Sequence, residues 1–147
     1  MFVSATYRTG AVLLRVNEDG GGVEEVWKSQ VMGNHWATSI LDDGYLYGFD
    51  GRHSNETALK CVELKTGKQM WAARGLLRGS MIRADGRYIL VSETGALVLA
   101  RLMPKGPDVL WNKEYLTYPA WIAPVLADKH LYIRNDKKLI CFDLRPK

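Results

Sequence analysis

A repeat of about 42 residues runs through this chain and limits its fold more than any other feature. Three tryptophans, Trp27, Trp71 and Trp111, stand 44 and 40 residues apart. Each closes the same kind of segment: a short apolar strand, a turn-rich stretch, then a few residues ending in tryptophan. The strands are Leu13-Leu14-Arg15-Val16, Cys61-Val62-Glu63-Leu64 and Leu99-Ala100-Arg101-Leu102, and a fourth, Cys141-Phe142-Asp143-Leu144, comes last. The turns are Asn17-Glu18-Asp19-Gly20-Gly21-Gly22, Lys65-Thr66-Gly67-Lys68 and Pro104-Lys105-Gly106-Pro107. A second marker keeps the same register: Asp43-Gly44, Asp85-Gly86 and Asp128-Lys129, spaced 42 and 43 residues apart. Asp-Gly between apolar runs signals a two-residue hairpin, because a type I′ turn needs positive φ at both central residues. Lys129 suits that turn less well, which predicts a looser third hairpin. Strands follow each turn: Tyr45-Leu46-Tyr47-Gly48-Phe49, Tyr88-Ile89-Leu90-Val91 and Leu131-Tyr132-Ile133.

About four short strands per period, without long helical periodicity, is the pattern of a β-propeller blade. The sequence therefore predicts an all-β fold: a partial β-propeller of about three and a half four-stranded antiparallel blades in a single segment, 1–147. Blade 1 is partial (1–29), blades 2 and 3 are whole (36–72 and 78–115), and blade 4 is partial (121–144). With strands lettered A to D from the axis outward, the chain reads B-C-D, A-B-C-D, A-B-C-D, A-B-C. Propellers remove exposed edges by closing a ring of roughly four to eight blades. The expectation is thus the C-terminal part of a larger ring, whose remaining blades lie in a longer chain. Closure by a second copy fits the strand count poorly, and a first strand supplied from elsewhere in a longer chain is a third possibility.

Hydrophobic residues make up 47% of the 147 and charged residues 24%, as in an ordinary globular domain with a real core. No apolar run reaches the roughly 18–20 residues of a membrane span, and Met1-Phe2-Val3-Ser4-Ala5 lacks the marks of a signal peptide. The net charge is +4, but the basic residues are scattered, the densest group being Arg74, Arg78, Arg83 and Arg87. A nucleic-acid partner would call for a concentrated basic stripe, so none is expected.

Candidate ligand residues come from the repeat itself. Aligning blades on the Asp-Gly turns makes Trp36, Arg78 and Trp121 equivalent, at spacings of 42 and 43. His35, Leu77 and Ala120 precede them. Loops entering strand A gather at the central channel, so His35, Trp36, Arg78 and Trp121 form a candidate binding mouth for a flat or anionic ligand. The alternative is that both tryptophans only cap blade interfaces. Trp27, Trp71 and Trp111 are instead structural, each expected to pack between neighbouring blades. Arg83 falls where other blades carry Leu41 and Leu126, so it needs a partner: its cross-strand neighbour Tyr88 or a carboxylate. The loop Asp50-Gly51-Arg52-His53-Ser54-Asn55-Glu56 exceeds its counterparts Glu93-Thr94-Gly95 and Asn135-Asp136-Lys137, as binding loops often do. It does not match a calcium loop. Cys61 and Cys141 share one strand position two blades apart, too far for a disulfide, which predicts two buried free thiols. His35, His53 and His130 show no metal-ligand spacing. No nucleophile elbow, phosphate loop or zinc-protease motif is present, so no catalytic residue and no metal site is assigned.

The run Cys61-Val62-Glu63-Leu64-Lys65-Thr66-Gly67-Lys68-Gln69-Met70-Trp71 resembles the tryptophan-docking motif of pyrroloquinoline-quinone-type repeat propellers, roughly Ala-x-Asp-x-x-Thr-Gly-x-x-x-Trp. Cys61 and Glu63 replace its Ala and Asp, and Cys141-Phe142-Asp143 matches its front half. The blade of Trp111 lacks Thr-Gly, and that of Trp27 has a Gly-rich turn instead. Asn34-His35-Trp36-Ala37-Thr38-Ser39 through Tyr47-Gly48-Phe49-Asp50-Gly51 also resembles bacterial propeller repeat proteins. The resemblance implies a non-catalytic binding or protein-assembly scaffold, like the outer-membrane assembly scaffold lipoprotein, in the periplasm or secreted. One alternative it implies is a fragment of a quinone-dependent dehydrogenase, with pyrroloquinoline quinone and calcium as cofactors. This chain shows no vicinal cysteine pair and no recognisable quinone cradle. A carbohydrate-binding mouth at Trp36 and Trp121 is a further alternative, drawn from the residues themselves.

Overall fold

Short hairpins build the whole molecule. The computed structural model describes residues 1–53, 55–76 and 78–146; Ser54 of the long loop and Leu77 of the candidate mouth lie outside the described residues. No helix occurs among the described residues, and none is long and apolar enough to cross a membrane. Fourteen strands follow in chain order: β1 Phe2–Ala5, β2 Gly10–Val16, β3 Val23–Ser29, β4 Ile40–Asp42, β5 Tyr45–Asp50, β6 Ala58–Glu63, β7 Gln69–Ala73, β8 Gly79–Ala84, β9 Arg87–Ser92, β10 Ala96–Met103, β11 Gly106–Glu114, β12 Val125–Ala127, β13 His130–Arg134 and β14 Leu139–Asp143. They form four antiparallel sheets in sequential order, β1-β2-β3, β4-β5-β6-β7, β8-β9-β10-β11 and β12-β13-β14. Three, four, four and three strands are the numbers the repeat called for.

The Asp-Gly turns have the dihedrals their sequence demands. Asp43 and Gly44 take φ of 46° and 80°, and Asp85 and Gly86 take 47° and 69°. The third turn corrects the expectation of looseness: Asp128 and Lys129 adopt 45° and 59°, and Ala127 pairs with His130 just as Asp42 pairs with Tyr45. The flanking β12–β13 ladder imposes the tight turn, and Lys129 bears the left-handed conformation that glycine takes elsewhere.

A β-bulge sits before each repeat tryptophan. Trp27 faces Leu13, Trp71 faces Cys61 and Trp111 faces Leu99, and the register shifts directly after each of these partners. One extra residue in each outer strand, Val26, Met70 or Leu110, turns the strand so that the indole can leave its own sheet.

Burial follows the period-2 alternation of strands packed on both faces. Leu46 and Val62 meet Ala11 and Met32 of the first sheet and the loop after it. From the other face of the same sheet, Tyr47, Phe49, Leu59 and Cys61 meet Met81, Tyr88, Leu90 and Val98 of the third. Val91 and Leu97 then meet Leu131 and Ile133 of the fourth. One core therefore lies between each consecutive pair of sheets.

Trp27 and Trp71 lock these interfaces. Trp27 Nε1 donates to Leu64 O at 2.7 Å and Trp71 Nε1 to Met103 O at 2.7 Å, each acceptor lying in the next sheet's outer hairpin. Gly67, at φ 71°, lies so close under Trp27 that a Cβ there would stand 2.9 Å from the ring. Trp111 departs from this pattern. It is 41% exposed, has no such hydrogen bond among the described residues, and rests near Tyr115. β14 is the outermost described strand of its sheet, so no hairpin stands where Trp111 would dock.

Two further expectations are corrected or completed. Cys61 is buried against the third sheet, but Cys141 is exposed, because it lies on the face of β14 opposite Ile140 and Phe142, where no further sheet packs among the described residues. Arg83 does pair with Tyr88 across β8–β9, and its charge is met by a carboxylate of the neighbouring sheet. Asp42 Oδ2 accepts from Arg83 Nε at 2.7 Å and from the Tyr88 hydroxyl at 2.8 Å.

Candidate functional site

The loops that lead into β4, β8 and β12 lie against the sheets before them. In the first, Thr6 N donates to Asn34 O at 2.8 Å, and Asn34 N donates to Ser4 Oγ at 3.0 Å. Asn34 Nδ2 reaches Phe49 O at 3.0 Å, and Ser39 Oγ donates to Asn34 Oδ1 at 3.0 Å. These bonds fix the short segment that carries His35 and Trp36. In the loop before β12, Ala120 N donates to Glu93 O at 2.9 Å, holding Trp121 against the third sheet. Arg78 makes the corresponding link with its side chain, donating through Nη1 to Arg52 O. Its Nε and Nη2 both bond Glu93 Oε2, the former at 3.0 Å. Glu93 is only 3% exposed, so this ion pair is part of the frame. Removing one partner would strand a buried charge.

The four residues proposed from spacing alone are brought together. The rings of Trp36 and Trp121 lie 5.9 Å apart at 44°. The Arg78 guanidinium sits 4.8 Å from the Trp36 ring centre, within cation–π range. His35 stands edge-on to Trp36 at 5.0 Å. Trp36 is partly buried and its Nε1 finds no hydrogen-bond acceptor among the described residues, whereas Trp121 is 45% exposed.

Beside them opens a pocket of about 640 Å³, lined by Trp36, Trp121, Ile122, Arg52, His53 and Arg78 among others. Sequence reasoning marked the long loop that supplies Arg52 and His53, but gave no sign that it joins the mouth. Tyr7 and Glu93 went unmarked. Tyr7 lies edge-on to His35 at 5.9 Å with the Arg52 guanidinium 4.8 Å from its own ring centre. Tyr7 has no counterpart in the repeat register, and Glu93 shares its register position with Asp50 and Asn135, so spacing alone does not pair it with Arg78. Asp50, in the same loop, pairs with Lys60 Nζ at 2.7 Å and accepts from Gly33 N at 2.6 Å. The imidazole of His35 titrates below its ordinary value, through burial first and then the positive charges of Arg78, Arg52 and His53.

No protein-family model matches this chain, and no curated protein matches it. Among solved structures it is similar to the computationally designed Ika8 protein, with a TM-score of 0.50 and 8% identity. The match takes in 92% of this chain and 53% of that one, so the chain spans about half the length of the design. Likeness at that identity concerns the fold alone.

Proposed function

We propose that this chain is a stretch of a β-propeller of the pyrroloquinoline-quinone-type repeat kind, and that it binds a ligand or partner rather than turning over a substrate. The observation that carries this reading is the meeting of Trp36, Arg78 and Trp121, equivalent residues from three successive sheets. Radial sheets bring their innermost loops to a common axis, whereas sheets stacked in a straight line would hold them apart. A core between each pair of sheets supports the same arrangement. So does the Trp27 ring on the glycine of Thr66-Gly67, which gives that dipeptide a physical role in the repeat.

Binding is favoured over catalysis because the carboxylates nearest the mouth are already engaged, Glu93 by Arg78 and Asp50 by Lys60. Apart from Ser80, the residues lining the pocket are aromatic, apolar and basic, a surface suited to recognition. The test is a thermal-shift screen of neutral sugars, organic acids and peptides against the intact chain and Trp121→Ala. A ligand that raises the midpoint of the wild type and not of the variant is the expected result. Stoichiometric uptake of pyrroloquinoline quinone with calcium, together with dye reduction by alcohols or sugars, would contradict the reading and make the chain part of a dehydrogenase.

A further inference from the structure

The pocket beside Trp36 and Trp121 is electrostatically lopsided. Arg78 is matched by Glu93. Arg52 leans on the Tyr7 ring and has no ion pair with a carboxylate among the described residues. His53 and His35 line the same pocket. None of the residues that line the pocket carries a carboxylate. One wall is flat and apolar: Trp121 is 45% exposed and Ile122 is 41% exposed. The volume, about 640 Å³, lies within the usual range of small-molecule sites.

We propose that this pocket takes a flat organic anion, its aromatic body stacked on Trp121 and its carboxylate directed at the Arg52 guanidinium. The proposal rests on the reading of this face as a binding face, and names the ligand class. A neutral sugar would stack on the indole but leave the guanidinium unanswered. A carboxylate answers it with charge-assisted hydrogen bonds, which are roughly twice as strong as neutral ones.

The test uses the intact chain and three probes: 2-naphthoate, its uncharged analogue 2-naphthylmethanol, and maltotriose. The readout is the set of indole N–H resonances of the five tryptophans, with affinities taken from the shifts. The expected result is that 2-naphthoate moves the Trp36 and Trp121 signals, leaves Trp27 and Trp71 in place, and binds about tenfold more tightly than the alcohol, a difference of about 1.4 kcal/mol. Arg52→Gln should abolish that preference, and Trp121→Ala should abolish binding of both naphthalenes. Equal affinity for acid and alcohol, or binding of maltotriose alone at the same two signals, would overturn the anionic class and leave the binding face standing. Shifts confined to Trp111 would overturn the proposal by placing the probe on the uncovered outer strand. Failure of every probe to move Trp36 or Trp121 would overturn both the proposal and the binding face.

Discussion

The five tryptophans divide by what their indole N–H groups find. Trp27 and Trp71 each reach a backbone carbonyl of the next sheet, at 2.7 Å. The N–H of Trp36 is buried without an acceptor among the described residues. Deleting the N–H while keeping an aromatic ring should therefore give opposite results. Trp27→Phe leaves Leu64 O without its donor and is expected to cost about 1–3 kcal/mol, beyond the loss of ring volume. Trp36→Phe removes an unsatisfied donor and is expected to cost less than Trp27→Phe. Urea denaturation of the two variants beside wild type checks the order. Spacing separates these two classes, because docking tryptophans follow the turn after strand C and the others precede strand A. It failed for Trp111, whose exposure depends on a neighbouring hairpin and not on its own segment. Cys141 failed for the same reason: its register position matches Cys61, but burial needs a further sheet on its face of β14.

Among the elements, the two-residue turns were the most legible feature, since positive φ at both central residues is written directly in Asp-Gly. Asp128-Lys129 shows that the ladder decides the geometry and the residue only sets its cost. Lys129→Gly is accordingly expected to stabilise the protein by up to about 1 kcal/mol, by relieving a left-handed lysine. A thermal midpoint above that of wild type would show it, and a drop would mean that the lysine side chain contributes more than the strain removes. The bulges before Trp27, Trp71 and Trp111 were not legible. A bulge adds one residue without a distinctive composition, and Val26, Met70 and Leu110 read as ordinary strand residues. The long loop was marked by its length, but its union with the mouth was hidden, because Arg52 meets Tyr7 and Arg78, and Arg78 meets Glu93, across sheets far apart in sequence.

For the molecule as a whole, the core between the second and third sheets contributes to the response to alkali. Burial raises the Tyr88 phenol above its ordinary value, helped by the hydrogen bond to Asp42 and its charge. Burial likewise raises Tyr47, with Cys61 beside it. The unfolded chain ionises its tyrosines near pH 10, while these two keep their protons in the folded state. Their contribution to stability is therefore complete below about pH 10 and is lost as pH rises through the folded-state values. Urea midpoints should fall from about pH 9 to about pH 11. The fall should be shallower in Tyr88→Phe, which carries one fewer of these groups.

The claim on which the rest depends is that successive sheets curve round one axis and bring equivalent loops together. The direct measurement is the nuclear Overhauser effect between the indole protons of Trp36 and Trp121, whose rings stand 5.9 Å apart from loops entering the second and fourth sheets. The account predicts a cross-peak between them, alongside the one expected between Trp27 and Gly67. A Trp27–Gly67 cross-peak without the Trp36–Trp121 one would mean that neighbouring sheets dock but do not curve, and would contradict both the propeller and its binding face.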